Sequence, residues 1–114
     1  MNALRNKVQL IGHLGADPEI MTFDSGKMRA TMRLATSDVY KDKDGKKVSN
    51  TQWHNLVVWG NNLIPVVEKF LKKGNEIAVD GKLTYRTYED KQGEKKYFTE
   101  VVVNEFVMLG KKEK

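Results

Sequence analysis

The chain contains no cysteine, so disulfides and thiolate metal sites are excluded; that absence suits a reducing cytosol. Histidine is almost as scarce. His13 and His54 are the only two, and no acid–base pair announces the positioned set of reactive groups that an enzyme needs. The chain is therefore expected to be non-catalytic, with no cofactor and no metal. Asp42-Lys-Asp44-Gly45 faintly resembles a calcium loop. Aligning Gly45 with that loop's invariant glycine puts Tyr40 at the first ligand position and Thr51 where the bidentate Glu belongs, and calcium fails on that count. Gly12-His-Leu-Gly15 matches the GXXG of a KH domain, yet it follows a strand and precedes Asp-Pro rather than joining two helices, so it reads as a strand bend. No stretch approaches the roughly 20 apolar residues of a membrane span. The opening Met-Asn-Ala-Leu-Arg-Asn-Lys7 carries charge at once and offers no apolar signal-peptide core. The expected setting is cytoplasmic, with an organellar origin left open.

Charge is what the chain has in excess. A net charge of +5 and an isoelectric point near 9.4 favour a polyanionic partner. Lysines on solvated faces would give the same totals, so the charge gains meaning only from where it falls. With 114 residues, 39% hydrophobic and 31% charged, the chain is globular and long enough for one hydrophobic core, not two.

The spacing of apolar residues gives five strands with one helix between the third and fourth. Asn6–Leu14 is the first strand, with Gly12 and Gly15 near its end where a barrel strand bends sharply. Asp17-Pro18 marks a turn, after which 19–23 continues the strand. In the second strand, Lys27–Tyr40, Met28, Ala30, Met32 and Leu34 alternate with Arg29, Thr31, Arg33 and Ala35. Lys41-Asp-Lys-Asp-Gly-Lys-Lys47 forms a basic hairpin tip turning at Asp44-Gly45. Thr51–Trp59 is the third strand. Leu63, Val66, Val67, Phe70 and Leu71 then mark one helical face. Asn61 or Asn62 is its candidate cap, and Pro65 falls in the first turn, where its missing amide costs nothing. Lys72, Lys73 and Gly74 close the helix. Glu76–Tyr88 is the fourth strand, with Ile77, Val79, Gly81 and Leu83 inward. A charged tip at Gln92-Gly93 leads to the last strand, Lys96–Leu109. The pattern predicts an all-β barrel, the five-stranded Greek-key OB-fold, over residues 1–110. A short basic tail follows at 111–114.

Strand parity turns this layout into a surface. On the third strand Trp53, Asn55, Val57 and Trp59 share one face, opposite Leu56 and Val58. The two indoles could pack under a sheet or at a subunit contact, or form a platform for flat partners such as nucleic-acid bases. Lys82, Thr84, Arg86 and Tyr88 share the outward face of the fourth strand, and Arg29, Thr31 and Arg33 that of the second, with Tyr40 at its end. Four aromatics interleaved with cations fit what single-strand binding requires: rings for stacking and positive charge along the phosphates. The expected stacking residues are Tyr40, Trp53, Trp59 and Tyr88. The expected phosphate-neutralising residues are Lys7, Arg33, Lys43, Lys47, Lys73, Lys82 and Arg86.

Four segments carry a family resemblance. They are Asn6-Lys-Val-Gln-Leu-Ile-Gly-His-Leu-Gly-Ala-Asp-Pro-Glu19, Leu34-Ala-Thr-Ser37, Thr51-Gln-Trp-His54 with Val58-Trp-Gly60, and Tyr97-Phe-Thr-Glu-Val-Val-Val103 with Leu109-Gly110. Over residues 4–110 the chain closely resembles the bacterial single-stranded DNA-binding proteins (SSB). The resemblance implies an OB-fold homotetramer that wraps single-stranded DNA without sequence preference in replication, recombination and repair. It puts the family's stacking aromatics on Tyr40, Trp53, Trp59 and Tyr88, with Tyr at two positions that often hold Trp. It also implies a place for His54 at the contact between subunits.

One departure concerns the C-terminus. Family members usually continue through a flexible linker to an acidic tip that recruits other proteins. These residues end in a basic tail, so such recruitment is not expected of them; a truncated core and a short mobile-element or organellar form both fit. Two further readings are weighed beside the single-strand binder. A primosome-type scaffold with weak DNA binding would tend to lose the stacking aromatics. An OB module for tRNA or oligosaccharide would need specific polar contacts.

Overall fold

The computed structural model of the chain describes residues 3–60 and 62–110. A short 3-10 turn, Ala3–Asn6, leads into β1 (Val8–Leu14) and β2 (Glu19–Thr22), followed by β3 (Met28–Lys41) and β4 (Lys47–Trp59). Helix α1 (Ile64–Phe70) then precedes β5 (Glu76–Glu89) and β6 (Lys95–Met108). The sheet runs β1-β5-β6-β4-β3-β2 and closes where β1 pairs with β3 at His13–Ala35 and Leu14–Leu34. β1 and β2 are two halves of one strand broken at the Gly15–Pro18 bend, so the barrel has the five strands and single helix expected of an OB-fold. The basic tail read from the sequence lies outside the described residues. No helix among the described residues is long and apolar enough to cross a membrane.

Alternation drives the closure. Ala30, Met32 and Leu34 of β3, Leu56 and Val58 of β4, and Ile77 and Val79 of β5 all point inward and are buried. Each such Leu or Ile contributes about 1.5–3 kcal/mol by leaving water. On β6, an irregularity opposite Asp80–Gly81 sets Asn104 outside the pairing. Parity therefore changes, and Phe106 packs on the core after Val101 and Val103. Two glycines mark places where strands approach too closely for a side chain. A Cβ on Gly12 would fall on the Ala35 carbonyl, and one on Gly81 on the Val102 carbonyl.

Three hairpins end in the same three-residue loop. Phe23, Asp42 and Asp90 each donate an N–H to the carbonyl four residues on, at 2.8, 2.9 and 3.0 Å. Gly26, Gly45 and Gly93 donate back at 2.8, 3.1 and 3.1 Å. Their φ values of +88°, +78° and +81° are what the left-handed position of this loop demands.

Several elements differ from the sequence reading. The first strand starts at Val8 because Asn6 belongs to the 3-10 turn. Its side chain still acts as a strand residue would, donating to the Leu83 carbonyl and accepting from the Leu83 N–H, both at 2.9 Å. The third strand of the sequence reading begins at Lys47 rather than Thr51, since β3 and β4 pair without interruption to Lys41–Lys47. The helix is rotated from its expected phase. Ile64, Val67 and Leu71 are buried, whereas Val66 and Phe70 are exposed; two stripes sharing Val67 and Leu71 fit the same 3.6-residue period. Its N-cap position is Leu63, with no side-chain hydrogen bond, so Asn62 is not the cap, and Asn61 lies outside the described residues. Pro65 does fall in the first turn.

Candidate nucleic-acid interface

The outward face of β3, β4 and β6 is concave. Arg29, Arg33, Asn55, Trp59, Arg86 and Phe98 line a groove of about 360 Å³. Val57 is buried although it points away from the core, because it lies in this groove and not on an open face.

Both tryptophans stand at the surface, with Trp53 50% and Trp59 36% exposed. Neither is a core ring. The Arg33 guanidinium sits 4.8 Å from the Trp53 ring centroid, and the Lys27 ammonium 4.8 Å from that of Trp59. A cation over an indole face is held by the ring quadrupole, so each tryptophan keeps positive charge beside its stacking surface. A Cβ on Gly15 would run into the Trp53 ring, which is why the strand bend carries glycine there. Tyr88 is exposed on β5 with the outward parity of Arg86.

Tyr40 is also exposed, but on the other side of its ribbon. The β3–β4 register runs unbroken from Arg29–Trp59 to Lys41–Lys47. Tyr40 therefore shares parity with Leu34 and Leu56, opposite Trp53. The ribbon projects past the barrel at this point, so the face that would be core lower down is open. Tyr40 and Trp53, expected on one surface, thus lie on opposite faces of the β3–β4 ribbon.

The seven expected cations divide into two groups. Arg86 is bound to Glu100, with Nε 3.0 Å and an Nη 3.3 Å from its carboxylate oxygens, and its guanidinium lies over the Phe98 ring. Glu100 is the one buried charged residue among the described residues. Arg86 therefore offsets a buried carboxylate, and its charge is only partly free for phosphate. Lys7 stands 3.8 Å from Asp80. Arg33, Lys43, Lys47, Lys73 and Lys82 are exposed, with no acidic partner within ion-pair distance among the described residues. Lys43 rides the β3–β4 tip, where the Asp42 carboxylate accepts from the Asp44 and Lys46 N–H groups at 2.9 Å each. The Asp17 carboxylate accepts from the Lys73 backbone N–H at 2.7 Å, tying the helix exit to the β1–β2 bend.

His54 faces away from Trp53 and is half-buried, with its Nε2 2.9 Å from the Thr36 hydroxyl. Among the described residues no cluster of three His, Cys, Asp or Glu could hold a metal ion. Glu100, Phe98 and Phe23 were not singled out in the sequence, whereas Asn55 falls on the outward face read for it beside Trp53 and Trp59. Glu100 meets Arg86 only through the register of β5 on β6, which no local motif reveals.

The model of the Single-strand binding protein family matches residues 5–109. The chain belongs to this family. It is 49% identical over 109 residues to "Single-stranded DNA-binding protein 1" of Xylella fastidiosa, covering 95% of this chain and 79% of that one. Identity to the protein of the same name from Chlorobaculum tepidum is 44% over 109 residues, covering 95% and 67%. Among solved structures, the Plasmodium falciparum SSB in complex with ssDNA superposes with a TM-score of 0.84 at 31% identity, over 92% of this chain and 95% of that one. A deletion mutant of the Thermus aquaticus single-stranded DNA-binding protein gives 0.77 at 30%, over 92% and 50%.

Proposed function

We propose that this SSB-family chain binds and protects single-stranded DNA without sequence preference, as a binding protein and not an enzyme. The observation that carries the reading is the pair of surface indoles, Trp53 and Trp59, each with a cation at its face on the outward side of a basic barrel. Bases stack on Trp53, Trp59, Tyr88 and Tyr40. Arg33, Lys43, Lys47, Lys73 and Lys82 neutralise phosphates, with Lys7 and Arg86 contributing less because acidic partners already hold them. Every base has a π-face, so stacking discriminates little between sequences. Duplex DNA is a poor ligand because its bases already stack on each other. The exposed rings also favour this function over a scaffold that binds DNA weakly.

The test is tryptophan emission during titration with oligo-thymidine. Quenching by the single strand but not by duplex is expected. Affinity should fall with salt, each phosphate neutralised adding about 0.7 to the slope of log affinity against log salt. Unchanged emission at all salt concentrations would end the reading.

The same proposal includes self-association, as a tetramer, and an association with the bacterial chromosome in the cytoplasm. β1 pairs with β5 from Val8 to His13 but with β3 only at His13 and Leu14, leaving most of one edge open to another strand. Beside that edge, Ile11 and Val107 are exposed on either side of Ala78. His54 takes part in the subunit contact from the face opposite Trp53. Sedimentation equilibrium should give four times the chain mass; a monomer at micromolar concentration would refute the assembly.

A further inference from the structure

The β2–β3 turn breaks a rule that the other two hairpins obey. In the β3–β4 and β5–β6 loops the first residue is aspartate. Asp42 accepts from the N–H groups of Asp44 and Lys46, and Asp90 accepts from those of Gln92 and Glu94 at 2.9 and 3.0 Å. Such side-chain bonds are the reason Asp is favoured in turns. At the equivalent position of the β2–β3 loop stands Phe23, which can make neither. The Ser25 hydroxyl reaches the Lys27 N–H only at 3.4 Å. Where the other two turns carry aspartate, this one carries a ring that is 37% exposed. A local rule of turn chemistry is most often broken where function requires it.

The ring's surroundings indicate the use. Phe23 and Trp59 lie 6.1 Å apart, centroid to centroid, with their planes 22° from parallel. At that distance the rings overlap only at their edges, so together they present a wider surface than either alone. Arg29 is positioned over both, 5.4 Å from Phe23 and 5.8 Å from Trp59, and Lys27 lies over Trp59. The Arg29 Nε is buried with no hydrogen-bond partner among the described residues, an orphaned donor beside the groove.

We propose that Phe23 is a DNA-contacting residue: with Trp59 it forms a two-ring stacking platform, and Lys27 and Arg29 supply its positive rim. The β2–β3 turn is then part of the DNA path. This rests on the single-strand reading above.

The test replaces Phe23 by asparagine, which is uncharged, lacks a ring and restores a side-chain acceptor to the turn. Phe23→Asn is expected to lower affinity for oligo-thymidine roughly five- to tenfold, the lower end of one base–ring contact. Its thermal midpoint should not fall below that of the parent, and Phe23→Tyr should retain the parent's affinity. Parent affinity in Phe23→Asn would overturn the proposal, as would equal losses in Phe23→Asn and Phe23→Tyr. Repeating Phe23→Asn in a Trp59→Ala background separates contact from positioning. A loss that persists there supports direct contact; one that vanishes means Phe23 only holds Trp59, and overturns it. Trp53→Ala in the same series tests the underlying reading. If it weakens binding while Phe23→Asn does not, only the two-ring platform falls.

Discussion

Trp53→Ala is expected to weaken binding of oligo-thymidine by roughly five- to 150-fold, the equivalent of about 1–3 kcal/mol for one stacked base. The domain should still unfold cooperatively, with a stability loss of about 1–2 kcal/mol. The two expectations separate because the ring is half exposed, resting against Gly15 and Arg33. Removing it opens no cavity in the core formed by Leu34, Leu56 and Ile77. Arg33 should remain folded in place as a phosphate ligand, so the salt dependence of the variant should stay close to that of the parent. The chain has two tryptophans, so emission from the variant reports on Trp59 alone, and residual quenching by DNA would place that ring in the path independently. Parent affinity in Trp53→Ala would remove Trp53 from the DNA path. A collapsed unfolding transition would mean that the ring supports the barrel despite its exposure.

How much of this was legible in the sequence depended on the range of each interaction. The inward row Met28, Ala30, Met32 and Leu34 could be read directly, because period-two alternation is written in the strand itself. So could the five strands along the chain and the hairpin tips at Gly45 and Gly93. The helix phase could not, since a seven-residue helix offers two apolar stripes and only its docking on the barrel selects Ile64, Val67 and Leu71. The face of Tyr40 follows from the same period-two alternation, but that this inward-parity position is open to solvent beyond the barrel is not written in the strand. Arg86 looked like a free cation because its partner is 14 residues away across a hairpin. Phe23 was lost in a turn whose significance emerges only beside the two turns that carry aspartate instead. The recognisable motifs thus located the interface, while its charge balance required the register.

That balance matters for interpreting charge-removing variants. A buried carboxylate left without its partner is costly, so Arg86→Ala would lower stability through Glu100 as well as affinity. Lys43 and Lys82 have no such obligation among the described residues. They are the cleaner positions at which a lost charge can be read as a lost phosphate contact, through a shallower salt slope at unchanged stability.

Gly12→Ala should be among the most damaging single methyls in the barrel, costing about 3 kcal/mol or more and lowering the thermal midpoint by on the order of 10–15 °C. Gly12 pairs with Ile77 of β5, one residue before β1 also pairs with β3 through His13–Ala35. Its new Cβ would fall on the Ala35 carbonyl, with the Leu34 Cγ at 3.2 Å behind it. A backbone carbonyl in a paired strand cannot rotate aside, so relief requires parting the strands that close the barrel. Gly15→Ala, three residues on, is the control. Its methyl meets the Trp53 ring, the far end of a side chain that can swing out. Gly15→Ala should therefore cost about 1 kcal/mol or less in stability yet reduce affinity for single strands by displacing a stacking surface. Urea unfolding at matched protein concentration, which an oligomer requires, together with oligo-thymidine titration, distinguishes the pair. Equal stability in Gly12→Ala and the parent would mean the closure is looser than this geometry. Equal affinity in Gly15→Ala and the parent would mean that the placement of Trp53 is not what the bend protects.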